Sequence, residues 1–155
     1  SNYILTCMSN ENVSFDVALE KAKSLGYAEA NPSSDINGED VASKLKILSS
    51  LCFNSFLIKE ISVEGIKNID KEDIKNASIL GYKIKLIGVA EKIKNKVFQR
   101  VHPALVKKSS YIASINGVLN AVITNGHPVG ESVIQGEGAG PEATTSALVS
   151  DISSL

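Results

Sequence analysis

The sequence lacks several features that would each indicate a particular class of protein. Its 16 basic and 17 acidic residues leave a net charge of −1, and the basic residues are scattered, so nothing favours a nucleic acid or an acidic membrane as partner. No apolar run approaches the ~20 residues that a membrane span requires. The N-terminus has no signal-peptide pattern and no initiator Met, which indicates a processed chain or a part excised from a longer one.

Cysteine and histidine are also scarce. Cys7 and Cys52 form neither a CxxC pair nor a metal-ligand spacing with His102 or His127, so we expect no metal site. Two reduced cysteines that pack as small apolar residues suit a cytoplasmic protein. Each histidine precedes a proline, and we predict that both lie in loops or at strand ends and take no part in a catalytic triad.

The length and patterning of the chain predict one domain, over residues 1–155, with its own core. Apolar periodicity and capping residues predict helices over 15–25, 39–52 and 71–80, and again after Gly140. Strands are predicted over 61–66, 82–93, 97–106, 114–124 and 129–135, the last two joined by a turn at Asn125-Gly126. Pro103 suggests an edge or a strand end. The class is α+β, with a mixed, largely antiparallel sheet covered by helices.

The helix predicted over residues 39–52 places charge within its apolar stripe. At about 100° per residue, with Asp40 at zero, Lys44 falls at about 40°, between Leu51 at about 20° and Leu48 at about 80°. A buried lysine is costly unless it is paired or lines a polar pocket. The pattern allows an ion pair one turn apart with the lysine stem lying on apolar surface, or a Lys44–Asp40 pair that faces a cleft and transfers protons.

The loop before this helix is acidic. Glu29, Asp35, Glu39 and Asp40 lie within twelve residues. Their carboxylates can bind a small ligand that carries an ammonium group, although a solvated turn would show the same composition. The spacing lacks the ligand series of an EF-hand, so a structural calcium site is not expected.

A glycine-rich segment, GEGAG at residues 136–140, precedes the last predicted helix. It is not a dinucleotide fingerprint, because no βαβ unit and no acidic residue about 20 positions on can follow in the remaining residues. Its backbone amides can hold an anion at the helix start, and a tight strand-to-helix turn is the alternative.

Five segments together resemble the homoserine dehydrogenase family, in the family's order and over nearly the whole chain. Residues 1–5 (SNYIL) resemble the end of its G-T-[TS]-N-Y-I-L segment. Residues 26–44, with GYAEANP, DING and DVASK, resemble its G-[YF]-x-E-x-[DN]-P…D-[LI]-x-G-x-D-x-x-x-K stretch. Residues 116–122 (NGVLNAV), and 136–139 (GEGA) followed by TSA at 145–147, resemble its later motifs. Ser110, Tyr111 and His127 depart from residues common in the family, outside these motifs.

The resemblance implies an enzyme that interconverts L-homoserine and L-aspartate 4-semialdehyde with NAD or NADP, on the branch towards threonine, methionine and isoleucine. It implies that Lys44 handles the proton at the reacting hydroxyl or carbonyl group, with Asp40 as its partner. Glu29 and Asp35 would bind the substrate, and Gly138 and Gly140 would approach the cofactor. The family also implies a homodimer formed through the sheet of this domain.

The nucleotide-binding unit of that family has no counterpart in the sequence, so we predict that this chain alone has no dehydrogenase activity. Two other functions fit the residues. A non-catalytic amino-acid-binding module would use the acidic loop without needing Lys44, and a dimerisation module would use a sheet edge as its contact.

Overall fold

The computed structural model describes residues 1–54 and 61–154 and is a mixture of helices and strands. The helices are α1 (Asn2–Glu11), α2 (Phe15–Ser24), α3 (Ser33–Asn37), α4 (Glu39–Phe53), α5 (Lys71–Ile79), α6 (Tyr111–Ser114) and α7 (Pro141–Ser153). The strands are β1 (Ser62–Val63), β2 (Tyr82–Ile93), β3 (Lys96–Lys107), β4 (Leu119–Gly126) and β5 (Gly130–Glu137). The predicted α+β class is confirmed. No helix in the described ranges is long and apolar enough to cross a membrane.

The larger sheet has the strand order β1-β3-β2. β2 and β3 form an antiparallel hairpin along their whole length, turning at Lys94-Asn95 as predicted. β1 pairs with β3 in parallel and reaches only Arg100 and Val101. At Pro103, therefore, β3 has only β2 beside it in the described sheet, which explains how a proline is accommodated there.

The second hairpin differs from the prediction. Asn125 pairs with Glu131 and Gly126 with Gly130, so the turn lies at residues 127–129 and not at Asn125-Gly126. A turn at Asn125-Gly126 would have brought Pro128 into the strand ladder, to which proline cannot donate a hydrogen bond. β4 also begins later than predicted, at Leu119, because residues 111–114 form α6.

The core lies where α1 packs against α2, α5 and β2. Its buried members are Ile4, Leu5, Cys7, Met8, Ala18, Ala22, Ile66 and Ile74. α1 supplies half of them and has no counterpart among the predicted helices, although Ile4, Leu5 and Met8 stand at helical spacing. The first helix of the chain is thus the central element of its core.

Local signals placed two helices correctly. Asp70 forms a capping box with Asp73, in which each carboxylate accepts a hydrogen bond from the other residue's backbone N–H, at 2.8 and 3.0 Å. Ser14 accepts a longer hydrogen bond from the Val17 N–H at the start of α2. These caps explain why both helices begin where the sequence predicts.

Candidate active site

A glycine joint sets the direction of α4. Gly38 ends α3 and begins α4 with a φ of 84°, a left-handed conformation that favours glycine. A Cβ there would also lie 3.2 Å from the Val63 side chain and 3.3 Å from that of Val101. The joint therefore fixes the short acidic helix α3 and the start of α4 against the sheet.

Two further contacts hold α3 and the start of α4 in place; residues 33–44, with Asp35, Glu39 and Asp40, are called the acidic corner below. The backbone of Gly65 lies so close to α3 that a Cβ would overlap the Ile36 carbonyl, and the Ile66 N–H donates to that same carbonyl at 2.8 Å. On the other side, Gly88 of β2 lets α4 approach closely, because a Cβ there would lie 3.2 Å from Val41. The acidic corner is thus packed closely against the backbone of the sheet and of the segment after β1.

Asp40 and Lys44 form an ion pair one turn apart at the start of α4. The Lys44 Nζ and the Asp40 Oδ2 are 2.8 Å apart, and their side chains are 56% and 38% exposed. Although Lys44 falls within the apolar stripe of the sequence, its side chain is exposed, because the buried face of α4 centres on Ala42 and Ser49. The apolar stripe of the sequence is wider than this face, and Leu51 is left exposed beside Lys44.

Asp35 and the start of α1 complete the charged cluster. Burial lowers the pKa of the Ser1 amino group below its usual value, while the charges of Asp35 and Asp40 oppose that change and the charge of Lys44 adds to it. All three charges therefore act on the same point at the chain start. The structure brings together three of the four residues predicted to bind substrate or transfer protons.

Glu29 is the fourth, and it lies on the exposed loop between α2 and α3. No hydrogen bond or ion pair of its carboxylate is found among the described residues. The neighbouring Asn31 organises the loop, since its side-chain oxygen accepts from the Ser33 N–H at 3.2 Å and from the Ser33 hydroxyl at 2.6 Å. Glu29 is thus available to a ligand without losing a contact that the structure records.

The turn at residues 138–140 leads from β5 into α7. Gly138 donates its N–H to the Val118 carbonyl at 3.0 Å, and its Cα lies so close to the Asn120 side chain that a Cβ would overlap it. Gly140 has a φ of 108°, and a Cβ on it would lie 3.7 Å from the Tyr27 ring. Each glycine therefore has a reason in the packing of this chain, while Gly138 remains exposed on its outer side.

Tyr27 connects this turn to the charged cluster. Its ring centroid is 5.0 Å from that of Tyr3, in the first turn of α1. The 138–140 turn, the acidic loop and the start of α1 consequently meet around these two aromatic rings. A surface depression of about 370 Å³ contains neither Asp40 nor Lys44 in its lining, which consists of Asn37, Glu39, Val63, Glu64, Gly65, Lys67 and Asn68.

The histidines and cysteines form no centre of their own. His102 lies inside β3 opposite Ile87, and not at a strand end as predicted. Its Nε2 is 3.3 Å from Arg100 Nε, which donates to it. Within the described residues, no group of three His, Cys, Asp or Glu side chains is placed to hold a metal ion.

One buried cation was missed by the sequence analysis. Lys85 of β2 is only 5% exposed, and burial, reinforced by the charge of Lys83, lowers its pKa to about 8. The near alternation of charged and apolar residues in β2 is typical of a strand with one solvated face, so it gave no signal that this lysine would be covered. α6 and the residues that follow it provide the cover, and their position depends on tertiary packing.

The geometry defines a class of protein, an α+β domain that presents a carboxylate-paired lysine at the start of one helix and a glycine turn at the start of another. A family profile described as homoserine dehydrogenase matches residues 1–153. The chain belongs to the homoserine dehydrogenase family, as its motifs predicted.

Individual relatives agree with the profile. The homoserine dehydrogenase of Helicobacter pylori (strain ATCC 700392 / 26695) is 45% identical over 153 residues, which cover 98% of this chain and 36% of that protein. A crystal structure of S. aureus homoserine dehydrogenase at pH 6.0 matches with a TM-score of 0.89 and 43% identity, covering 98% of this chain and 39% of that one. A hyperthermophilic archaeal homoserine dehydrogenase mutant, in complex with NADPH, matches with a TM-score of 0.73 and 33% identity over 97% of this chain and 42% of that one. The chain therefore spans little more than a third of the length of these first two relatives.

Proposed function

We propose that this chain is the substrate-binding and catalytic part, a single domain, of an NAD(P)-dependent homoserine dehydrogenase. The observation that carries the proposal is the Lys44–Asp40 ion pair, held at the start of α4 beside Asp35 and the start of α1. Its substrates are L-homoserine and L-aspartate 4-semialdehyde, on the branch towards threonine, methionine and isoleucine. The family membership and the 0.89 TM-score support this assignment.

The charges suit an amino acid whose side chain is oxidised or reduced. Glu29 and Asp35 bind the ammonium group of the substrate through charge-assisted hydrogen bonds. In the reducing direction, the Lys44 ammonium donates a proton to the aldehyde oxygen as a hydride reaches the aldehyde carbon, and in oxidation the hydroxyl proton passes back to Lys44. Asp40 orients the lysine and keeps its charge balanced between turnovers. NAD or NADP supplies or accepts the hydride.

The 138–140 turn fits one edge of such a cofactor. Gly138 presents backbone without a side chain on an exposed surface, next to the first turn of α7, where helix N–H groups favour an anion. The described strands form no βαβ unit, so most of the nucleotide must be held by a separate segment. The chain alone is expected to show no turnover, and turnover by the purified chain with homoserine and NADP would contradict this.

The decisive test uses a completed enzyme, in which this chain replaces the matching segment of the Helicobacter pylori relative. Lys44→Ala is expected to lower kcat by roughly 10²–10⁴-fold, the usual effect of losing a proton-transfer group. Lys46→Ala is the matched control, because Lys46 is exposed on another side of the same helix. Equal activity of the two variants would contradict a catalytic Lys44 and favour a binding module.

Substrate binding can be tested on the chain itself. Titration with L-homoserine, followed by backbone amide NMR, is expected to shift signals within residues 29–44. Shifts that are confined to β4 and β5 would show that the acidic corner does not hold the substrate.

We also propose a cytoplasmic homodimer formed through the larger sheet. α4 packs on the face of β2 that contains Gly88, and the opposite face carries Ile87, Val89 and Phe98, the last 51% exposed. Such apolar exposure is typical of an interface. Phe98→Glu is expected to give monomers in light-scattering measurements, whereas Lys107→Glu, at the end of β3, should not. The free thiols of Cys7 and Cys52 suit a reducing compartment.

A further inference from the structure

Lys85 is buried without a carboxylate partner in the described residues. Its Nζ donates to the Asn2 Oδ1 at 2.9 Å, to the Asn116 Oδ1 at 3.3 Å and to the Ile115 carbonyl. Lys83, two residues earlier, adds a second cation that donates to the Ala113 carbonyl at 3.0 Å. A buried ammonium group costs free energy that only well-placed acceptors can offset. The acceptors of Lys85 belong to the start of α1 and to the segment between α6 and β4. Lys85 therefore connects these two parts of the chain.

Asn2 strengthens the same connection. Its side-chain amide lies within hydrogen-bonding distance of three backbone carbonyls, those of Ile115 at 3.2 Å, Gly117 at 3.3 Å and Leu119 at 2.8 Å. One turn further along α1, the Thr6 hydroxyl oxygen accepts from the Gly117 N–H at 3.1 Å. The first two turns of α1 are thus tied to residues 115–119 by two half-buried polar side chains.

A short path leads from this network to the glycine turn. Residue 118, inside the segment that Asn2 holds, accepts the hydrogen bond of the Gly138 N–H through its carbonyl at 3.0 Å. Asn120 packs directly against Gly138. At the other end of the path, Ser1 precedes Asn2, and the charges of Asp35, Asp40 and Lys44 act on the pKa of its amino group. The network therefore sits between the charged cluster and the turn.

We propose that Lys85 is a positioning residue, whose ammonium locks the start of α1 to residues 115–119 and so fixes the distance between the Asp40–Lys44 pair and the 138–140 turn. The inference rests on the proposed function, since that distance matters only if substrate and cofactor meet there. Hydride transfer is sensitive to displacements of about 1 Å, which can cost 10²-fold in rate. Lys85 touches neither substrate nor cofactor, and its effect passes through Asn2 and the hairpin.

The test compares Lys85→Met with Ala77→Gly in the completed enzyme. Lys85→Met removes the donor while keeping a long apolar side chain, and kcat is expected to fall roughly 10–100-fold. The KM for homoserine should change less than about threefold, because the acidic corner is anchored separately through Gly38 and Gly65. Ala77→Gly weakens the buried face of α5 and should lower Tm without lowering kcat at temperatures where both variants are folded. Lys85→Gln keeps a hydrogen-bond donor and should retain more activity than Lys85→Met.

Hydrogen exchange provides a second measurement. Peptides that cover residues 113–119 are expected to exchange faster in Lys85→Met, whereas peptides of α2 should not change. A folded Lys85→Met enzyme whose kcat lies within twofold of the unmodified enzyme would overturn the proposal. If Lys85→Met does not fold, Asn2→Ala removes the same link, and a normal kcat in that variant overturns it equally.

The two hypotheses fail in different ways. An unmodified completed enzyme that is folded but inactive would contradict the proposed function. Hydrogen exchange would then still show whether Lys85 holds residues 113–119, and unchanged exchange in Lys85→Met would overturn the positioning role on its own.

Discussion

The two ends of the molecule are built differently. All the buried side chains that the structure describes lie between Ile4 and Ile115, and none belongs to residues 116–140 or 142–154. The β4–β5 hairpin forms a sheet of its own. α7 leaves Leu148, Val149 and Ile152 exposed. The first region has its own core, whereas the second presents apolar side chains to the surroundings.

This difference shows which part of the chain can be stable alone. A two-stranded hairpin is at best marginally stable in water, and exposed apolar clusters mark surfaces that bind something else. Residues 1–115 should therefore determine the stability of the chain. Residues 116–154 should gain their order from the segments that complete the enzyme or from a second subunit.

The largest expected effect comes from truncating one isoleucine in a helix of each region. Ile4 is 2% exposed in α1, and Ile152 is 62% exposed in α7. Ile4→Ala should lower the free energy of unfolding of the chain by roughly 2–5 kcal/mol, because it leaves a cavity in the core. Ile152→Ala should change it by less than about 0.5 kcal/mol. Urea denaturation followed by circular dichroism measures both values.

Similar losses in the two variants would show that α7 is packed in the isolated chain, and would end the distinction between the regions. In the completed enzyme, the losses of unfolding free energy in the two variants should be more alike. A surface that covers α7 would bury Ile152, and its truncation would then cost more.

A second, smaller effect concerns the boundary between the regions. The pKa of Lys85 is about 8 in the folded chain and about 10.5 when unfolded. Between these values the unfolded chain binds more protons than the folded one, so the free energy of unfolding rises with pH. Lys85 should contribute an increase on the order of 1–3 kcal/mol between about pH 8 and 10.5, and no change below pH 8.

Other lysines and tyrosines also titrate in this range, so the quantity to measure is the difference between the unmodified chain and Lys85→Met. The free energy of unfolding of the unmodified chain minus that of Lys85→Met should increase as pH rises from 8 to 10.5. A difference that is constant over this window would show that Lys85 is not desolvated and that the boundary is open to water.

The sequence predicted elements whose signals are local. The Asp70 capping box fixes the start of α5 through neighbouring residues, and the β2–β3 hairpin follows from its length and turn. The short helix α3 was not predicted, because its segment has the composition of a loop. The β4–β5 turn was placed wrongly because Asn125-Gly126 is a strong local signal that the register of the whole hairpin overrides.

The candidate site divides in the same way. Asp40 and Lys44 are four residues apart on one helix, so their pairing follows from helix geometry alone. The exposure of Lys44 could not be predicted from the sequence, because α4 also carries apolar residues such as Leu51 on its exposed side. Lys85 was missed because its acceptors at Asn2 and Ile115 are 83 and 30 residues away. Periodicity carries no information about such distant partners.

The smallest expected effect tests how rigid the second region is. Gly138→Ala places a methyl group where the Asn120 amide lies, and Asn120 must move for it to fit. Because this region has no buried core, the free energy of unfolding of the chain should fall by only about 1 kcal/mol or less. Exchange of the β4 and β5 amides should nevertheless accelerate, since the strain falls on their pairing.

The double variant Asn120→Ala/Gly138→Ala removes the obstructing amide, and it should restore slow exchange that Gly138→Ala alone loses. Non-additivity of this kind is expected only for residues in contact. If Gly138→Ala leaves the exchange of β4 and β5 unchanged, the Asn120 side chain swings into solvent without cost. The 138–140 turn would then be too loosely held to position a cofactor, and the contrast between the regions would extend to the proposed site itself.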